Sequence, residues 1–295
     1  MNQGNRKIRF GLWYDFRNPS QWRQPYDRLY GETLDQIAWG ESQGFDDVWL
    51  SEHHFIEDGY LPSILPVAAA IAARTKRIRI ASGVLLVPFH NPVRLAEDIA
   101  VVDVISGGRF ELGVGVGFKL EEFDSFGVSF RERGSRTNQS LDIIRRLLSG
   151  ETVTYKSDFF NFKNIKVTPE PIQKPHPPIW LGGFTAAALR RAARYGDGFT
   201  VPGATRDVYD QYVAQLKKQN RPARTFDWQA PFGASSYPTI LRRPSPKPPT
   251  ISSIRRIITQ HGFLRRDSVH FPSICAIGNS CAKAGCSRWS TPTRR

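Results

Sequence analysis

Short apolar runs alternate with amphipathic stretches through the first 220 residues. Strand-like runs fall at 8–14, 47–50, 78–86, 109–116, 179–182 and 198–201, and helix-like runs at 30–43, 63–74, 92–105, 134–148, 186–195 and 206–218. In the first helix Leu34, Ile37 and Ala38 recur at helical spacing, with charged positions such as Glu41 among them. Gly44 follows as a stop signal, Pro92 opens a later helix, and Ser106-Gly107-Gly108 ends it. Single helices between successive strands imply right-handed crossovers and a parallel sheet. Six such units in a row fit a (β/α) TIM-type barrel of the α/β class better than a doubly wound sheet. Residues 149–178 break the alternation. Tyr155, Phe159, Phe160 and Phe162, with five prolines nearby, read as an excursion from the barrel.

Beyond Asn220 the pattern fails, although a full barrel still needs two strands and two helices. The expected division is a barrel domain of about six units over 1–219, incomplete at the C-terminus, and an irregular basic Pro/Ser/Arg-rich tail over 220–295. Only 251–258 offers a regular element there. The tail reads as disordered or as a replaced C-terminus, such as a shifted reading frame produces. Charge distribution supports the division. The formal net charge is +14, but residues 1–220 hold 28 Lys+Arg against 25 Asp+Glu, while the last 75 hold 13 against two. The basic excess therefore belongs to the tail, which has no nucleic-acid motif; only salt-sensitive, non-specific attraction is expected of it. Cys275, Cys281 and Cys286 also lie there, at a spacing that is no recognised zinc pattern, and no metal is expected. The longest apolar region, 61–73, is too short and interrupted to span a bilayer. MNQGNRKIRF has no signal-type stretch, so a cytoplasmic location is expected.

In a barrel the chemistry sits at the C-terminal ends of the strands. The second strand ends in Ser51-Glu52-His53-His54. Adjacent side chains on extended chain point opposite ways, which argues against one metal held by both histidines. One facing the site as an acid–base group and the other making structural contacts is the better reading. Gly113, Gly115 and Gly117 alternate along the fourth strand and share a face. Two readings stand side by side: an open wall for a planar ring, or small residues in a crowded interior. The spacing is not the dinucleotide fingerprint. Gly182-Gly183-Phe184-Thr185 joins a strand to a helix start, either an anion-binding turn or a plain threonine cap.

Taken together, GFDDVWLSEHHF, ASGVLLVPFHNPVRLAEDIAVVDVISGGRFELGVGVGF, FGVSFRERGSR and PPIWLGGFT resemble the bacterial luciferase-like monooxygenase superfamily over residues 7–219. The resemblance implies a barrel that binds reduced FMN or, alternatively, the deazaflavin coenzyme F-420. It implies oxidation of a small organic substrate, with O2 and reduced FMN or by deazaflavin hydride transfer. His53 matches the active-site histidine beside the flavin. Gly83–Val84 matches a non-proline cis peptide under the isoalloxazine ring. Gly113, Gly115 and Gly117 match the bordering strand, and Gly183, Phe184 and Thr185 the phosphate-holding turn; Arg136 is a further candidate for the phosphate. Light-emitting members carry an arginine where this chain has Val116, so the oxidoreductase branches are the nearer likeness. A flavin reductase is implied as the source of reduced flavin, and relatives commonly form homodimers through the barrel's helices. The alternative is a non-catalytic flavin binder or an inactive truncated member.

Overall fold

A computed structural model of the chain describes residues 9–200 and 206–221, together with the backbone of 274–277. Its strands are β1 Arg9–Tyr14, β2 Asp47–Leu50, β3 Arg79–Ser82, β4 Leu85–Leu86, β5 Phe110–Gly115, β6 Val153–Lys156, β7 Asn161–Ile165, β8 Ile179–Gly182, β9 Gly198–Thr200 and β10 Ile274–Ile277. The helices are α1 Tyr26–Ser42, α2 Ile64–Arg74, α3 Pro92–Ser106, α4 Leu120–Ser125, α5 Arg133–Leu148, α6 Ala186–Tyr195 and α7 Arg206–Lys218.

The main sheet runs β10-β1-β2-β3-β5-β8-β9, with β4 pairing onto β5. Every neighbouring pair in it is parallel except β1 with β10. The parallel strands with helices between them are the curved wall of a TIM-type barrel, as the alternation predicts. Elements β2, β8, α6 and α7 coincide with the runs read from the sequence.

The differences are local. α1 starts at Tyr26, before its apolar periodicity begins. The single strand expected over 78–86 is two strands with an interruption at Gly83–Val84. The excursion after α5 contains an antiparallel hairpin, β6–β7, and α4 was not anticipated. In the tail, 251–258 lies outside the described residues. The regular element that is described there is β10, whose Ile274–Ile277 pair antiparallel with Leu12 back to Arg9. No periodicity in this stretch pointed to a strand.

Two layers of side chains follow from the strand alternation. Val48 and Leu50 of β2, with Phe10, Leu12, Ile80, Leu112, Val114, Ile179 and Leu181, point outward into one core shared with the helices. Trp49, Ala81 and Trp180 point inward and form a separate cluster. The helix termini follow their sequences. The Asn91 side chain accepts from the N–H of Val93 and Arg94, Pro92 fills the first helical position, and Gly107 closes α3 at φ 66°. Among the described residues no helix is long and apolar enough to cross a membrane.

Candidate active site

The barrel interior has a charged floor. Arg9 pairs with Asp47, Arg79 pairs with Glu111, and the Trp180 indole donates to Glu111 at 2.6 Å. Burial pushes the Asp47 carboxyl up to about 7; Arg9 opposes the rise, and Glu111 and Asp46 add to it. Above the floor Trp13 stacks on Trp49 at 6.5 Å, and Trp180 meets Trp49 edge-on at 6.4 Å. This aromatic layer separates the ion pairs from the C-terminal strand ends.

At the next level β3 leaves its ladder with β5. The Ser82 hydroxyl takes over, donating to the Gly113 carbonyl at 2.7 Å and accepting from the Gly113 N–H at 2.8 Å. The Gly83–Val84 peptide then follows in the cis form, as the resemblance implies, and pairing resumes at Leu85 with Val114. The glycines of β5 make room for this detour. A Cβ on Gly113 would sit 1.9 Å from the Ser82 carbonyl oxygen, and one on Gly115 would sit 2.6 Å from Val84 Cγ2. Of the two readings, crowding accounts for Gly113 and Gly115. Their shared face is covered by Ser82 and Val84, so it is not a bare wall. Gly117 lies two residues beyond the strand, at φ 73°, against Phe123.

His53 and His54 lie just beyond β2, and their side chains diverge. His53 Nδ1 lies 2.9 Å from Glu122 Oε1, and its ring meets Tyr60 and Phe118 edge-on at 5.0 and 5.5 Å. Its side chain is 19% exposed. His54 turns away, with Nε2 2.9 Å from Glu52 and its ring among Phe55, Phe89 and Phe126. Burial alone would raise the Glu52 carboxyl, but the hydrogen bond with His54 and the nearby His90 ring, 3.9 Å away, outweigh it and hold the group below its ordinary value. An ionised carboxylate only accepts, so His54 donates through Nε2. Sequence reasoning missed three neighbours of this histidine pair. Glu122 comes from α4, and its carboxylate also accepts the His54 backbone N–H at 2.9 Å. Tyr60 shares a 2.5 Å hydrogen bond with Ser51. Phe118 is 69% exposed beside His53. A glutamate in a run such as KLEEF looks solvated, and only the fold shows that it is buried.

On the opposite side, Gly183 turns at φ 130° into α6, and a Cβ there would lie 2.7 Å from that of Ala188. Thr185 caps the helix, its hydroxyl accepting from Ala188 N–H at 3.2 Å. The cap leaves the exposed N–H groups of Ala186 and Ala187 pointing out of the helix start. Phe184 is exposed next to them. Arg136 donates through Nε to the Pro88 carbonyl and lies over the Phe160 ring at 5.1 Å. A cavity of about 320 Å³ lies at the far end of the barrel, between the last turns of α5 and α6, and shares no residue with the histidine mouth. No group of three His, Cys, Asp or Glu suited to a metal occurs among the described residues.

The profile of the luciferase-like monooxygenases matches residues 8–243. The chain belongs to that family. Among luciferase-like relatives, the F420-dependent glucose-6-phosphate dehydrogenase of Amycolatopsis mediterranei is 34% identical over 200 residues, 65% of this chain and 60% of that protein. The oxygenase component of flavin-dependent trigonelline monooxygenase from Acinetobacter baylyi is 28% identical over 176 residues, 59% of this chain and 48% of that one. Among solved structures, the monooxygenase RslO1 from Streptomyces bottropensis superposes with a TM-score of 0.68 at 30% identity, covering 74% of this chain and 68% of that one. Flavin-dependent monooxygenases and deazaflavin-dependent dehydrogenases are thus both homologues. The chain spans roughly half the length of these two curated relatives.

Proposed function

We propose that the chain is a luciferase-like flavin-dependent oxidoreductase, using reduced FMN with O2, or a deazaflavin hydride, on a small organic substrate. The observation that carries this reading is the mouth itself. The cis Gly83–Val84 peptide and His53 stand at the strand ends, across from a glycine turn that leaves free N–H groups at the start of α6. The residues fit a flavin. Val84 and the cis peptide form a platform above the tryptophan layer, and the N-terminus of α6 suits a phosphate. Arg136 is a candidate second phosphate contact. The flavin, when bound, supplies the redox chemistry. The protein's own residues hold the ring, shield it from water and place one proton-handling group, His53. Gly113, Gly115 and Gly117 contribute by letting Val84 and the loop before α4 close in.

One relative is named an oxygenase component, and a flavin reductase is the matching partner proposed here. Residues 1–219 are taken as the flavin-binding unit; 220–295 are assigned no role in it. A second reading, a flavin binder without turnover, is favoured by the antiparallel β10 beside β1 and by the limited span of the relatives covered.

The deciding experiment titrates the full chain with FMN, reduced FMN and the deazaflavin by fluorescence. Turnover is then followed in wild type and His53→Ala. Saturable binding of one flavin, with turnover that falls about a hundredfold in the variant, is the expected result. Binding without turnover would support the second reading. No binding would end both.

A further inference from the structure

We propose that Glu122 is the positioning residue of the site, and that it makes His53 an acceptor rather than a donor toward whatever lies in the mouth. This rests on the flavin reading for its catalytic meaning, although its geometry stands apart from it. The decisive contact is shared. Glu122 Oε1 takes the His54 backbone N–H at 2.9 Å and lies 2.9 Å from His53 Nδ1. A backbone N–H can only donate, so Oε1 is an accepting oxygen. With Oε1 already accepting from the His54 N–H, the matching arrangement is a neutral His53 ring that carries its proton on Nδ1.

The consequence falls on the other ring nitrogen. Among the described residues nothing takes a hydrogen bond with His53 Nε2. The ring is partly exposed, and it is braced edge-on by Tyr60 and Phe118. Nε2 thus presents a lone pair. When a substrate O–H delivers its proton there, the O–H bond breaks, an N–H bond forms at Nε2, and the resulting imidazolium faces the Glu122 carboxyl. The O–H electron pair stays on the substrate oxygen, and no oxidation state changes in that step. Glu122 is itself 1% exposed in this structure, and its second oxygen, Oε2, is buried with no partner among the described residues. A buried carboxyl in that condition is costly unless its first oxygen is well used.

A plain structural role would need only the bond to His54. The test therefore reads the His53 ring directly. The flavin-free full chain is labelled with 15N-histidine, and long-range proton–nitrogen correlations assign the protonated ring nitrogen; His53→Gln identifies the resonance. Wild type is expected in the Nδ1–H form. Glu122→Gln keeps an accepting oxygen and should keep that form. Glu122→Leu should change the tautomer ratio by about tenfold or more, because the hydrogen bond that favours the Nδ1–H form is lost. Wild-type His53 protonated at Nε2, or an unchanged ratio in Glu122→Leu, would overturn the proposal. If Glu122→Leu does not fold, the wild-type and Glu122→Gln spectra still decide. A parallel FMN and deazaflavin titration of wild type tests the flavin reading separately, since the tautomer is read without flavin.

Discussion

Substituting Gly113 with alanine tests whether the β5 glycines exist to admit the β3 detour. The added methyl would lie 1.9 Å from the Ser82 carbonyl oxygen and 3.1 Å from its carbon, both backbone atoms. Comfortable contact is about 3.5 Å, so Ser82 must retreat by more than an ångström. Overpacking of that kind costs about 1–3 kcal/mol. The retreat also breaks the two hydrogen bonds between Ser82 Oγ and Gly113, worth about 1 kcal/mol each. The expected loss is about 3–5 kcal/mol, or ~6–20 °C in Tm for a protein of this size. Gly31→Ala is the control. It lies inside α1 with nothing within 4 Å of the new Cβ, and should gain about 0.5–1 kcal/mol. Urea unfolding followed by tryptophan fluorescence measures both, and Trp49 reports from beside the substituted site. A Gly113→Ala protein within about 0.5 kcal/mol of wild type would refute the packing argument.

Three further outcomes are expected. The folded Glu52 carboxyl titrates below its ordinary value, so it contributes stability above the unfolded value that is lost as pH falls through the folded one. Glu52→Gln should therefore be less stable than wild type at pH 7 and converge with it in acid, as urea midpoints across pH will show. Asp47 has the opposite sign. With a folded value of about 7 against an unfolded 3.8, it stabilises most at low pH and withdraws that support as pH rises through this window. The stability of Asp47→Asn should be flatter between those values by the same assay. Thr185→Val removes the α6 cap and should cost about 1 kcal/mol by thermal unfolding.

The barrel was legible because its period is simple. Apolar strands of four residues and helices with Pro, Asn and Gly at their ends carry their own boundaries, and β2, β8, α6 and α7 needed no correction. The His53/His54 divergence was legible as well, because adjacent residues just past a strand were expected to point opposite ways. The Ser82 bridge and the role of Gly113 were not, because they depend on which strand lies alongside, and a single strand does not state its neighbour. Glu122 was hidden more deeply. Its burial comes from a six-residue helix packed against another loop, 69 positions from the histidine it holds. β10 was missed because Ile274–Ile277 is short and follows a region with no helical or strand period.

The shared oxygen of Glu122 also makes one backbone amide a gauge of motion. The loop after β2 and the segment carrying α4 are joined across the mouth at His54 N–H. That proton can exchange with solvent only when the two sides part. The exchange rate at His54 would therefore measure how often the mouth opens. A bound flavin or substrate that bridges both sides would slow it.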